Sequence, residues 1–438
     1  FVDTLCRRAV VRVPVREERG ALERLLLHPA AGPALSLATL LALYLLVFTL
    51  NTGFPLNVIL EALGLGELAE ALEGLTLAGL ISGLFDSLAA WLSALGLPPA
   101  LSAVLVDGVV PALATVLSFL PLILTALFVL SFLEDSGVGP YAAASLHRLL
   151  QRIGLSGRAV YPMLISIGCN VPAVLSARTA PDEVERRQLY VALPFIPCQA
   201  RLVVLLAFAS AYFAGEPALA VGAVAVAYLA SVLLFAASSL LVRRAYRVAE
   251  PPELLMELPP IHLPSLRVLW WISWDYAKHY LRRAGFIIFS VSLLLTALTR
   301  LGPGGFVESP GESLAFAAGR ALAPLMAPLG LAGERAAILA FAMLAGLLAK
   351  EVVVLSVAAA TGSADPLEAL ASLSLSRGQA LALMVFFSTY MPCAATAATI
   401  YRETGSGRLT ALAVAWSLAS SLLLTYLTYA ILALLGLA

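Results

Sequence analysis

Three cysteines stand beside helix-breaking residues in otherwise apolar sequence. Cys169 lies in "GCNVPA", between Gly168 and Pro172; Cys198 follows Pro197 in "PFIPCQAR"; Cys393 follows Pro392 in "YMPCAA". Thiol sulfur suits soft or borderline metals such as Fe(II), Zn(II) or Cu(I). Asn170, next to the first of these cysteines, is one of only three asparagines in the chain, and a polar amide in an apolar helix needs a partner. "LLAKEVVVL" sets Lys350 and Glu351 inside another apolar run, where ionisable side chains are costly and mark function. Glu351 offers a hard oxygen and a negative charge to a divalent cation. The candidate metal ligands are therefore Cys169, Asn170, Cys198, Glu351 and Cys393. Glu134 and Asp135 in "FLEDSG" are secondary candidates that also read as an interfacial cap. Plainer readings stand beside these: a small cysteine packed at a kink, or Lys350 and Glu351 as an ion pair holding a bundle.

Membrane helices must hold these residues. The chain has 438 residues, of which 61% are hydrophobic and 12% charged, and a mean hydropathy of +0.94; soluble domains carry about 25% charged residues. Apolar runs recur at 34–50, 109–133, 202–214, 218–242, 284–299, 336–349 with 352–360, and 409–437. Several reach the roughly 20 residues that a helix needs to cross a bilayer. Alternating barrel-type segments do not occur. The expectation is an all-α polytopic membrane protein of about eight transmembrane helices, in two related halves with broken or re-entrant helices.

Proline removes a backbone donor and breaks a helix. The pattern of an aromatic, a short apolar stretch and Pro-Cys-x-Ala occurs at Pro197 and again at Pro392. Paired, proline-interrupted apolar segments in two halves point to a transporter binding site. The reading divides the chain into a polar, Arg-rich segment 1–28, a first transmembrane half 29–243 and a second half 284–438. Between the halves lies a Pro-rich linker 244–283. Basic residues cluster at 7–24, 148–158 and 243–283, whereas 54–107 carries only acidic charges. The positive-inside rule places the basic regions and the N-terminus in the cytoplasm and 54–107 outside. Residues 82–95 read as an amphipathic stretch at the outer interface.

Net charge is zero, so nothing points to nucleic acid. The four cysteines show no CxxC pairing, so no disulfide scaffold is expected. The only lysines are Lys278 and Lys350, and neither sits in a P-loop, so no nucleotide site is expected in this chain. No covalent-catalysis constellation is visible, and the reading is a transporter rather than an enzyme.

"GCNVPAVLSART", "LEDSG", "PFIPCQAR", "LLAKEVVV" and "YMPCAATAATIYRETG" together resemble the membrane portion of the FeoB ferrous-iron transporter family, with its two Gate repeats. "LLLHPAAGPAL" resembles the way that family's chain approaches its first span. The resemblance covers nearly all of 20–438. After "EDSG" this chain reads "VGPYAA", without the basic residue usual in the family. The resemblance implies uptake of Fe(II), as transported substrate, across the cytoplasmic membrane of a bacterium or archaeon. It implies a GTP-binding domain acting in cis or in trans, with 1–24 as the tail of the connection toward it. A small cytoplasmic accessory protein and homo-oligomers are the other partners considered. Another metal ion (Zn, Mn or Cu(I)) or a nucleoside-like solute is the alternative cargo.

Overall fold

The computed structural model describes residues 20–29, 31–53, 66–95, 105–213, 215–247, 258–280, 301–302, 305–306, 313–348, 350, 352–361, 363, 365–390 and 393–436, with isolated positions between them. Among them the chain is helical apart from one two-residue antiparallel pair, in which Leu301 faces Phe306. Six described helices are long and apolar enough to cross a membrane, or eight if each of two sharply bent helix pairs forms one span.

The first half opens with α1 (Ala21–Leu26), α2 (Ala31–Thr52), α3 (Gly66–Leu75) and α4 (Leu77–Ala94). A π-helical turn, Leu105–Val109, leads into α5 (Val110–Asp135), which is followed by α6 (Val138–Gln151). Helix α4 buries no residue, and its length and hydropathy suffice for a crossing. The stretch 82–95, expected as an interfacial amphipath, belongs to this helix, which begins at Leu77 and exposes apolar side chains along it, among them Leu80, Leu84 and Trp91. Asn51 ties α2 to α5 by donating to Thr125 Oγ1 at 2.7 Å, which answers the need of an amide in an apolar helix.

Two broken helices follow. Helices α7 (Val160–Gly168) and α8 (Asn170–Ser176) are separated at Cys169. Helix α9 (Glu183–Ala192) passes through a 3₁₀ turn and a break at Ile196–Cys198 into α10 (Gln199–Tyr212). Helix α11 (Pro217–Ala245) then runs to Tyr246. In the linker, Ile261 N–H donates to Glu23 of α1 and His262 N–H to Ser136 O at the end of α5. Helix α12 (Leu266–Tyr280) packs against α5 with Trp270 and Trp271 exposed.

The second half repeats the plan. Helix α13 (Leu314–Leu322), a 3₁₀ turn and α14 (Gly333–Leu348) lead to a break at Lys350, beyond which α15 (Val352–Thr361) and α16 (Pro366–Ser372) run. Helix α17 (Arg377–Thr389) ends at a second break, followed by α18 (Ala394–Thr404) and the long α19 (Gly407–Leu434).

Burial shows which spans are central. In the broken spans Glu183–Tyr212 and Arg377–Thr404, 78% and 75% of the most apolar window is buried, against 22% or less in Ala31–Asn51, Leu77–Ala94, Ala218–Ala245 and Gly407–Leu434. The broken helices form the centre and the unbroken ones the lipid-facing rim. The core has two main clusters. One, around Leu155, Leu189 and Phe195, belongs to the first half and also takes Ile400 of α18. The other, around Phe341, Val353 and Phe386, belongs to the second half and also takes Leu205 and Phe208 of α10. Each half-helix that follows a Pro-Cys break therefore crosses into the core of the other half.

Candidate metal pathway at the helix breaks

The first break is made by Cys169. Its backbone is extended (φ −152°, ψ 132°) between two helical residues. Gly168, expected as a helix breaker, is the last residue of α7, and a Cβ there would meet only Ala126 at 3.8 Å. The break follows Gly168 but does not require a glycine. Pro172 sits in the first turn of α8, where its missing N–H leaves no helical bond unmade. Asn170 is buried, and its Oδ1 accepts a hydrogen bond from Ser166 across the break. An amide oxygen has two lone pairs, so one acceptor position remains.

The second break follows from Pro194 and Pro197. Ile196 is extended (φ −68°, ψ 121°), as a residue before proline prefers. At the fourth break Tyr390 is extended (φ −66°, ψ 161°). Pro392 lies outside the described residues, and so does Glu351, between the third break and α15.

Cys169, Cys198 and Cys393 are the N-caps of α8, α10 and α18, and none of the three makes a side-chain capping bond. Each half-buried thiol thus stands where a first turn leaves its N–H groups without helical partners. Cys169 and Cys393 border one small cluster formed by Val171 and Ala395, so the two halves meet at this pair. Cys393 Sγ lies 3.2 Å from Thr396 Oγ1. Cys198 is within electrostatic reach of Cys393, Arg201 and Lys350. Gln199, next in the chain, is buried with Oε1 lacking a hydrogen-bond partner. Among the described residues no three His, Cys, Asp or Glu side chains assemble into a ready metal cluster. Glu134 and Asp135 are exposed at the C-terminal end of α5.

Two buried cations complete the centre. Lys350 is 4% exposed, and its Nζ stands 3.3 Å from the centroid of the Tyr390 ring. Arg201 is 1% exposed. Its Nη1 donates to Pro194 O at 2.6 Å and Ser388 O at 3.0 Å, and its Nη2 to Tyr390 O at 2.6 Å. These carbonyls end the helical segments before the second and fourth breaks, so one guanidinium from the first half closes both. Sequence reasoning assigned no role to Arg201, although a lone arginine at the start of an apolar helix, three residues after Pro-Cys, was a visible signal.

The Gate family profile, described as nucleoside recognition, matches residues 116–212 and 281–407, and these segments hold all four breaks. A profile described as the C terminus of ferrous iron transport protein B matches residues 224–275, which run from α11 into α12. The Fe(2+) transporter FeoB of Staphylococcus aureus (strain COL) is 32% identical over 434 residues, covering 98% of this chain and 62% of the relative. The Fe(2+) transporter FeoB of Methanocaldococcus jannaschii is 34% identical over 314 residues, covering 70% of this chain and 46% of the relative. A Fe(2+) transport protein A/Fe(2+) transporter FeoB fusion protein of Porphyromonas gingivalis is 29% identical over 377 residues, covering 75% of this chain and 44% of the relative. The chain thus spans less than two thirds of the length of these relatives. No solved structure matches it. With two Gate segments carrying the four breaks and a FeoB-type segment between them, the chain belongs to the FeoB family, as its membrane portion.

Proposed function

We propose that this chain carries ferrous iron across the cytoplasmic membrane through the centre formed by the four helix breaks. One observation carries the reading: three cysteines are each the N-cap of a half-helix at a break, and two of them, Cys169 and Cys393, one from each half, share one cluster. The names of the relatives supply the ion.

Sulfur from Cys169, Cys198 and Cys393 and oxygen from Asn170 and Glu351 act as successive ligands. A transit site must hold its ion weakly enough to release it, and several partial sites do this better than one closed cage. Arg201 and Lys350 put two positive charges beside the route, and like charges repel strongly where water is scarce. A dication therefore passes only against anionic ligands, which gives Glu351 and the thiols their role. Gly168, Pro172, Pro197 and Pro392 shape the segments that present these ligands; Glu134 and Asp135 are outlying carboxylates at one end of the route. By the positive-inside rule, the end carrying Arg178, Arg186 and Arg408 faces the cytoplasm. A GTP-binding domain, in cis or in trans, regulates opening, and the fusion protein of P. gingivalis supports a small accessory partner.

The test is anaerobic Fe(II) flux into proteoliposomes, with Zn(II), Mn(II), Cu(I) and a nucleoside as competitors. Cys169→Ser and Cys393→Ser are expected to reduce flux at least about tenfold, in proportion to a lost soft ligand. Fe(II) flux at the wild-type rate in both variants and in Glu351→Gln would overturn the site. Preferential competition by the nucleoside would replace iron with the organic cargo that the Gate description suggests.

A further inference from the structure

At the arginine-rich end of the bundle a cavity of about 470 Å³ opens between α9 of the first half and α18 and α19 of the second. Arg186 lines it from α9 and Arg408 from α19. The cavity's two carboxylates are already engaged. Glu183 pairs with Arg187, whose Nη1 also donates to Tyr246 Oη at 2.6 Å. Glu403 pairs through both oxygens with Arg178, at the end of the segment that begins at Cys169. Arg186 and Arg408 make no ion pair among the described residues. Two guanidinium groups, one from each half, thus line one cavity whose carboxylates are paired with other arginines.

Guanidinium forks match phosphate oxygens in a bidentate way, which ammonium groups do not. The hydroxyls of Tyr246 and Ser406 add further donors to the lining. One turn along α19 from Arg408, on the same helix face, Leu412 also lines the cavity; it is 59% exposed and continues into the lipid-facing surface of α19. A guanidinium with an exposed leucine one turn along the same helix is the pairing that a headgroup with its acyl chain would fill. Basic residues at this end also match the anionic leaflet.

We propose that this cavity binds a phosphate ester, the headgroup of an anionic phospholipid, and that the bound phosphate joins the two halves through Arg186 and Arg408. It would act beside the Arg178–Glu403 pair, which already joins the ends of the two segments that start at Cys169 and Cys393. The inference does not depend on which ion the chain transports.

The test uses the full chain in neutral detergent. Retention of dioctanoylphosphatidylglycerol is measured by native mass spectrometry, with dioctanoylphosphatidylcholine and inorganic phosphate as separate probes. The glycerol lipid is expected to bind, with affinity falling at least about tenfold in the Arg186→Gln/Arg408→Gln variant, a difference of about 1.4 kcal/mol. Arg320→Gln, a charge removed from a different cavity, should leave it unchanged. If inorganic phosphate competes and is lost in the same variant, the site takes phosphate from solution as well. Equal binding of the choline lipid, or undiminished glycerol-lipid binding in the double variant, overturns the proposal. Should that variant not fold, Arg186→Lys/Arg408→Lys replaces it. Retained charge without the fork is expected to bind more weakly than wild type, and undiminished binding there again overturns it.

Discussion

The two Pro-Cys breaks share a signature and divide the work differently. After Cys198 the chain reads Gln-Ala-Arg; after Cys393 it reads Ala-Ala-Thr. Arg201 reaches out of its own half and binds Ser388 O and Tyr390 O, the carbonyls before the other break. Thr396, three residues after Cys393 as Arg201 is after Cys198, stays local and pairs with its own Cys393. The breaks at Cys169 and Lys350 differ in the same sense. One carries a neutral amide that accepts from Ser166, the other a buried ammonium stacked on Tyr390. A repeated fold thus carries a side-chain set that is not repeated, and the carbonyls at the two Pro-Cys breaks are held by a guanidinium from one half alone.

Removing the reaching residue should have the largest effect. Arg201→Met leaves three buried carbonyls without their donor, at about 1–3 kcal/mol each. Such a loss is comparable with the whole stability of many domains, about 5–15 kcal/mol. A pronounced fall in the thermal midpoint in detergent is expected, together with loss of flux, and Arg201→Lys should restore only part of each. Thr396→Val, by contrast, removes one weak sulfur–hydroxyl contact and should shift stability by no more than about 1 kcal/mol. Equal effects of Arg201→Met and Thr396→Val would erase the asymmetry.

Much of this centre was legible before any coordinates. Gly-Cys-Asn-x-Pro and the two Pro-Cys pairs announced breaks, because proline and extended residues cannot continue a helix and backbone conformation is local. The span count was legible because length and hydropathy suffice for it, and six to eight candidates bracket the expected eight. The clamp was not, because the partners of Arg201 are backbone carbonyls up to 189 residues away, and a carbonyl looks the same at every position. Nor was the crossing of α10 into the second-half core, since a helix apolar on nearly every side shows no preferred face in its sequence. Gly168 misled: it marks the place of the break, while Cys169 supplies the conformation.

The glycines before the first and third breaks sharpen the contrast at a smaller scale. A Cβ on Gly346 would stand 2.2 Å from Tyr390 Oη and 2.5 Å from Val353 Cγ2. Gly346→Ala must therefore push the ring on which Lys350 sits, and overpacking of this kind costs about 1–3 kcal/mol. A Cβ on Gly168 meets ordinary packing only. Gly168→Ala should therefore be neutral or stabilise by about 0.5–1 kcal/mol, the helix penalty of glycine. Thermal midpoints of the two variants, measured side by side, should move in opposite directions or differ by several degrees. A Gly346→Ala protein as stable as wild type would mean that the third break is not packed against Tyr390.

The smallest expected difference lies in the turns that lead into α7 and α14. In the first half Gly157 N–H donates to His147 Nδ1 at 3.0 Å, and burial lowers the pKa of this histidine below its ordinary value. In the second half Gln379 Nε2 donates to Leu329 O at 2.9 Å, a bond without a titratable member. The sign follows from linkage: a histidine held neutral on folding contributes fully above its unfolded pKa of about 6.5, and the contribution is lost as pH falls through the lower folded value. Acidification from pH 7.5 to 5.5 should therefore loosen residues 138–160 before residues 314–333. Amide hydrogen exchange corrected for its intrinsic pH dependence reads this directly. His147→Gln, which cannot charge, should remove the pH dependence from the first segment. Equal loosening of both segments on acidification would trace the effect to something other than His147 and would leave the two turns alike.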